Sequence, residues 1–239
     1  MSRIPVLEIF GPTIQGEGAV IGRKTMFVRT AGCDYHCSWC DSAFTWDGSA
    51  KDDIKQMPPE EIWNELFELG GHCFDHVTIS GGNPALISAI GELVHLLKEK
   101  GMKTALETQG SRWQDWMKDI DDLTLSPKPP SSGMETNFEM LDSIVSNLAD
   151  IGNASIKVVV FDDNDFEFAV KIHERYRTVP FYLQVGNDDI TTADNDLLLK
   201  KLLQKYESLI QKVIECPNLN DVKVLPQLHA LVWGNKRGV

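Results

Sequence analysis

The chain has 239 residues, 42% hydrophobic and 24% charged, with 35 acidic against 23 basic side chains and a net charge of -12. That length suits one α/β domain with a sizeable core, and the acidic balance argues against a nucleic-acid-binding face. No apolar run reaches the length of a membrane span and Met1-Ser2-Arg3 opens no signal peptide, so the expectation is a cytoplasmic protein without membrane contact.

In chain order, a short apolar strand beginning at Ile4 runs into a glycine-rich loop, Gln15-Gly16-Glu17-Gly18, whose glycines let backbone approach a ligand closely. Thr25–Thr30 reads as a buried strand with Arg29 near its end. A guanidinium fork there suits a planar carboxylate. The segment Cys33-Asp34-Tyr35-His36-Cys37-Ser38-Trp39-Cys40 follows, placing three of the five cysteines within eight residues. Thiolates this close converge on a metal centre. Three ligands, rather than the four of a structural zinc site or a simple electron-transfer cluster, leave one metal position open. His36 reads as an exposed spacer, because its ligation would close that position. Cys73 and Cys216 read as packed thiols in a reducing compartment.

Pro58-Pro59 precedes a helix over 60–69, with Ile62, Trp63, Leu66 and Leu69 on one face. A strand over 76–80 ends in Gly81-Gly82-Asn83-Pro84, and Leu86, Ile90, Leu93, Val94 and Leu97 form the apolar stripe of the next helix. Further strands are expected at 103–107, 122–125, 156–161, 181–185 and 222–225, with helices at 164–176 and 193–213. There is no repeat or linker, so 1–239 reads as a single domain. Strands alternating with helices indicate parallel βα units. About six units fit an α/β fold of the partial or six-stranded (β/α)6 TIM-barrel type, with a doubly wound sheet as competitor. Arg29 with the cysteine loop, Gly81-Gly82, Glu107-Thr108, Ser126-Pro127-Lys128 and Gln184 all fall at strand C-terminal ends. In a parallel barrel those ends share one rim.

The cysteine spacing, with an aromatic residue before the last cysteine, resembles the radical S-adenosylmethionine (SAM) enzymes. In that family SAM chelates the open iron of a 4Fe-4S cluster and is cleaved to a 5′-deoxyadenosyl radical. Gly81-Gly82 resembles the family's Gly-Gly-Glu-Pro motif, with Asn83 as a departure. Gln15-Gly16-Glu17-Gly18, Arg29, Cys40-Asp41-Ser42 and Ser126-Pro127-Lys128 narrow the resemblance to the 7-carboxy-7-deazaguanine synthases of queuosine-precursor biosynthesis, over nearly the whole chain. The resemblance implies a radical SAM carbon-nitrogen lyase that converts 6-carboxy-5,6,7,8-tetrahydropterin to 7-carboxy-7-deazaguanine with loss of ammonia. It implies Cys33, Cys37 and Cys40 on the cluster, and Ser42 on Mg2+. Ile14, Gln15, Gly16, Glu17, Arg29 and Ser80 would hold the pterin, with Arg29 and Glu17 closest to catalysis. Trp39, Asp41, Gly82, Glu107, Ser126, Pro127, Lys128 and Gln184 would line the SAM site. A flavodoxin-like electron donor and a homodimer are the implied partners.

Two alternatives stay open at this point: a different radical SAM enzyme, of the glycyl-radical activase type, or a non-catalytic iron-sulfur or zinc module. Phe44 and Trp46 read as packing aromatics. The N-terminal loop 4–22 and the tail 222–239 are expected to pack on the barrel; the tail carries His229, Trp233 and Lys236-Arg237, and docking near the active site and plain terminal packing are equally compatible with it.

Overall fold

Nine strands form one continuous sheet in the computed structural model, which describes residues 2–239. They are β1 (Ile4–Ile14), β2 (Lys24–Thr30), β3 (Lys55–Met57), β4 (His76–Gly81), β5 (Lys103–Thr108), β6 (Asp122–Leu125), β7 (Ala154–Val160), β8 (Phe181–Val185) and β9 (Lys223–Leu225). Their spatial order is β3-β1-β2-β4-β5-β6-β7-β8-β9. From β2 through β4 to β9 every neighbouring pair is parallel. β1 and β3 extend the sheet in antiparallel fashion. The open sheet is the expected partial barrel, since six parallel strands precede the short β9. β1 is longer than its short apolar core suggested, because its second half pairs with β2 through Phe10↔Phe27 and Thr13↔Thr25.

Five helices connect the strands, α1 (Pro59–Gly70), α2 (Ile90–Glu99), α3 (Phe138–Leu148), α4 (Asp163–Arg175) and α5 (Asn195–Glu215), and α6 (Leu228–Trp233) follows β9. Side-chain caps set three of their starts, with Asn137, Asp162 and Asp194 accepting from the backbone N–H of Met140, Asp165 and Leu197. Ile62 and Leu66 of α1 and Ile90, Leu93, Val94 and Leu97 of α2 are fully buried against Val77, Ile79 and Leu106 of the sheet.

Several expectations need correction. Leu69 is 50% exposed, and Gly70 fills the buried place on α1 instead. Leu86 lies outside α2, because Asn83 caps a separate 3-10 turn at Pro84–Leu86. Cys73 is exposed rather than packed. Helices α3 and α6 lie in segments to which the sequence reading assigned no element.

Candidate active site

The C-terminal ends of β2, β4 and β5 border a cleft of about 290 Å³. Its walls contain Ile14, Gln15, Gly16 and Glu17 from the end of β1 and the loop after it, Arg29 of β2, and Cys33, Cys37, Trp39, Cys40, Asp41 and Ser42 from the next loop. Ser80 and Gly82 come from the end of β4, Glu107 from β5 and Lys128 from the loop after β6. Three expected residues lie behind the wall instead. Ser126 and Pro127 are buried, and the Ser126 hydroxyl accepts from Lys128 Nζ at 3.1 Å. Gln184 of β8 is fully buried. The Ser126 side chain therefore acts on the cleft through Lys128, whereas the Gln184 amide is buried with neither polar atom hydrogen-bonded among the described residues.

Glycine is required where the β4 end meets the cysteine loop. A Cβ on Gly82 would collide with the Gly32 carbonyl oxygen and reach within 3.0 Å of Cys33 N. Asn83, the departure from the family motif, is fully buried. Its Oδ1 accepts from Thr108 Oγ1 at 2.7 Å, and its Nδ2 donates to Asp34 Oδ1 at 2.8 Å and Ser111 Oγ at 2.9 Å. The side chain thus ties β4, β5 and the cysteine loop together and has no remaining donor for a ligand.

Two charged groups share the cleft. In the first, Glu8 of β1 receives Arg29 Nε at 2.6 Å, and Arg29 Nη1 donates to Ser42 Oγ at 3.2 Å. Ser42 in turn donates to Asp41 Oδ1 at 2.9 Å. In the second, the Lys157 ammonium of β7 lies 2.6 Å from Glu17 and 2.7 Å from Glu107, with its side chain only 1% exposed. Gln227 Nε2 donates to Glu17 Oε1 at 2.9 Å, and His229 Nε2 lies 3.8 Å from the same oxygen. Burial alone would raise the Glu17 carboxyl, yet Lys157 and then His229 hold it well below the usual carboxylate range. Burial would lower Lys157, and Glu107 and Glu17 overcome that and push it above the usual lysine range. Ligand atoms of Glu17, Asp41 and His229 lie within 4.8 Å of one another, so Asp41 adjoins both groups.

Sequence reasoning missed Lys157, Gln227 and the role of His229. The one usable signal for Lys157 was a lone cation inside the β-branched run of β7. The tail signals resolve by contact: Leu228 N donates to the Gly16 carbonyl at 3.0 Å, and a Cβ on Gly16 would come within 2.8 Å of His229 N. Gly16 is therefore the residue that lets α6 settle on the glycine-rich loop.

The three cysteines are half-buried and unpaired. Burial pushes all three thiols up, Cys37 to about 11, with Lys128 opposing the rise at Cys37. A cationic metal bound there would reverse that bias, because a coordinated thiol is deprotonated outright. Ser80 Oγ and Gln227 Oε1 border the cleft and, among the described residues, have no hydrogen-bond partner. Such orphaned groups are what a polar ligand would satisfy.

Open sheet, rim cleft and three-cysteine loop together define a radical SAM enzyme, and residues 27–179 match the Radical SAM superfamily. A protein of Bacillus cereus named 7-carboxy-7-deazaguanine synthase is 69% identical over 239 residues, covering 100% of both chains. Its namesake in Bacillus subtilis is 63% identical, over 99% of this chain and 98% of its own. The crystal structure of QueE from Escherichia coli superposes with a TM-score of 0.68 at 23% identity, covering 95% of each chain, which supports the fold. The chain belongs to the 7-carboxy-7-deazaguanine synthase family of radical SAM enzymes.

Proposed function

We propose that the chain converts 6-carboxy-5,6,7,8-tetrahydropterin to 7-carboxy-7-deazaguanine and ammonia in 7-deazapurine biosynthesis. The observation that carries this reading is the pairing of two charged groups in one cleft. A carboxylate is complemented by Arg29, and the donor-rich pyrimidine edge of a pterin by the ionised Glu17. Gln15 and Gly16 line the wall beside the ring, their carbonyls already accepting from Gly22 N and Leu228 N, and the Ser80 hydroxyl supplies a further contact at the strand end.

Cys33, Cys37 and Cys40 hold a 4Fe-4S cluster, and Gly82, Trp39, Asp41, Glu107 and Lys128 form the surroundings of SAM. When bound, the cluster supplies one electron to the sulfonium, and SAM supplies the hydrogen-abstracting group. The chain's own residues bind and orient. Arg29 fixes the carboxylate next to C6, Glu17 fixes the ring edge, and the Lys157 ammonium keeps Glu17 ionised while pairing with Glu107. The Ser42 hydroxyl, beside the Asp41 carboxylate, is the oxygen donor for Mg2+. Serine keeps this oxygen without the β-branch that would fix its rotamer.

The reading extends to a homodimer served by a flavodoxin-like donor in the cytoplasm, in keeping with the five unpaired cysteines. Anaerobic incubation of the iron-reconstituted chain with the tetrahydropterin, SAM and dithionite tests it. The expected product is 7-carboxy-7-deazaguanine, identified by mass and absorbance, and Cys37→Ala abolishes it. SAM cleavage without any deazapurine would refute the substrate assignment. An active Cys37→Ala protein would refute the cluster ligands.

A further inference from the structure

We propose that Arg237, on the segment following α6, is a second carboxylate-binding residue of this cleft and helps it select a carboxylated substrate. The inference rests on the pterin reading above and deepens it.

One carboxylate, that of Glu8, holds two guanidinium groups. Its Oε1 accepts from Arg29 Nε at 2.6 Å and its Oε2 from Arg237 Nε at 2.8 Å. Both arginines line the cleft. Both lie against the same aromatic ring, with Cζ of Arg237 3.9 Å and Cζ of Arg29 5.6 Å from the centre of Phe44. Two cations facing one anion leave this trio with one positive charge in excess. The Arg29 and Glu8 side chains are only 17% and 19% exposed, so water reaches that end of the trio poorly, while the Arg237 side chain, 42% exposed, stays open to an incoming ligand. A ligand carboxylate entering between the arginines balances it.

The geometry of Arg237 suits the role. Among the described residues its guanidinium is hydrogen-bonded only to Glu8, and only through Nε, so its Nη donors remain available. The Phe44 face fixes the plane in which those donors lie. The segment is not a loose end either. Asn235 accepts from Asn187 Nδ2 at 2.9 Å and donates to the carbonyls of Asp189 and Thr192 at 2.9 and 3.0 Å, two residues before Arg237. Arg237 is thereby delivered to the cleft from a pinned backbone, as a positioning clamp requires.

The competing account is that Arg237 only fastens the tail to Glu8. Equilibrium binding separates the two without requiring turnover. The intrinsic fluorescence of 6-carboxypterin and of pterin-6-carboxamide would be titrated against wild type, Arg237→Ala, Arg237→Lys and Arg29→Ala, each reconstituted anaerobically and checked for equal iron content. The expected result is that Arg237→Ala weakens 6-carboxypterin about tenfold, leaves the carboxamide within about twofold, and is partly rescued by lysine. Equal weakening of both ligands, or of neither, in Arg237→Ala overturns the proposal in favour of a fastening role. A wild type that binds neither pterin overturns the substrate reading itself and this inference with it. Loss of carboxylate preference in Arg29→Ala but not in Arg237→Ala overturns the second anchor alone.

Discussion

Lys157 is a fully buried cation whose two partners come from distant parts of the chain: Glu17 from the first loop and Glu107 from β5. Removing one member of such a group leaves uncompensated charge in a dry place, which costs about 3–5 kcal/mol. Lys157→Met is expected to lower Tm on the order of 10 °C. Its pH dependence carries the sharper signature. In the wild type the Glu17 contribution to stability is present above the ordinary carboxylate range and is lost only as pH falls through its depressed folded value. The Lys157 contribution is present below the ordinary lysine range and is lost only as pH rises through its raised folded value. Between those limits the pair stays charged. Without the ammonium, the largest force opposing burial is gone, His229 and Gln227 compensate only in part, and Glu17 rises. The acid limb of kcat/KM for Lys157→Met should then move up toward neutrality, and an unshifted limb would show that Lys157 does not hold Glu17 ionised. At this scale the sequence carried most of the site, because Glu17, Arg29, the cysteines, Gly82 and Glu107 all sit at strand ends. Lys157 escaped because its charge lies inside an apolar strand, and Gln227 because its partner is far away in sequence. Asn83 looked like a defect until its four polar contacts placed it in the scaffold.

Among the elements, β4 carries a pH-sensitive device unrelated to catalysis. His76 opens the strand, fully buried, with Nδ1 2.8 Å from Thr25 Oγ1 of β2. Burial, reinforced by Arg23, lowers its imidazole to about 4. The folded chain therefore demands the neutral ring while the unfolded chain takes up a proton near pH 6.5. Stability falls as pH drops through that interval, by about 2 kcal/mol between pH 8 and pH 5 from this group. Denaturant titrations at the two pH values should show this increment in the wild type and lose it in His76→Gln; an equal increment in both proteins would contradict the assignment. The main strands and helices were legible because their apolar periodicity is regular. β3, α3 and α6 were not. β3 has three residues and two of them are exposed, so it carries no pattern of its own. The start of α2 was misplaced because the Asn83 cap interrupts a stripe that looked continuous.

Across the whole molecule, the organising fact is that both chain ends return to the same rim. β1 joins the sheet beside β2 and hands over Glu8 and the glycine-rich loop, while α6 and the following segment close over that loop from the other side of the sheet order. Neither contact follows from local sequence, since Gly16 and Leu228 or Glu8 and Arg237 meet only once nine strands are in register. The resulting cleft has a built-in polarity, guanidinium at one group and carboxylate at the other, in a chain whose net charge is -12. That polarity dictates one orientation of the substrate. An anaerobic crystal structure of the reconstituted chain with SAM and 6-carboxy-5,6,7,8-tetrahydropterin reads it directly. The account predicts the pterin carboxylate against Arg29 and the pyrimidine edge against Glu17. A pterin lying the other way round, or bound outside this cleft, would contradict it.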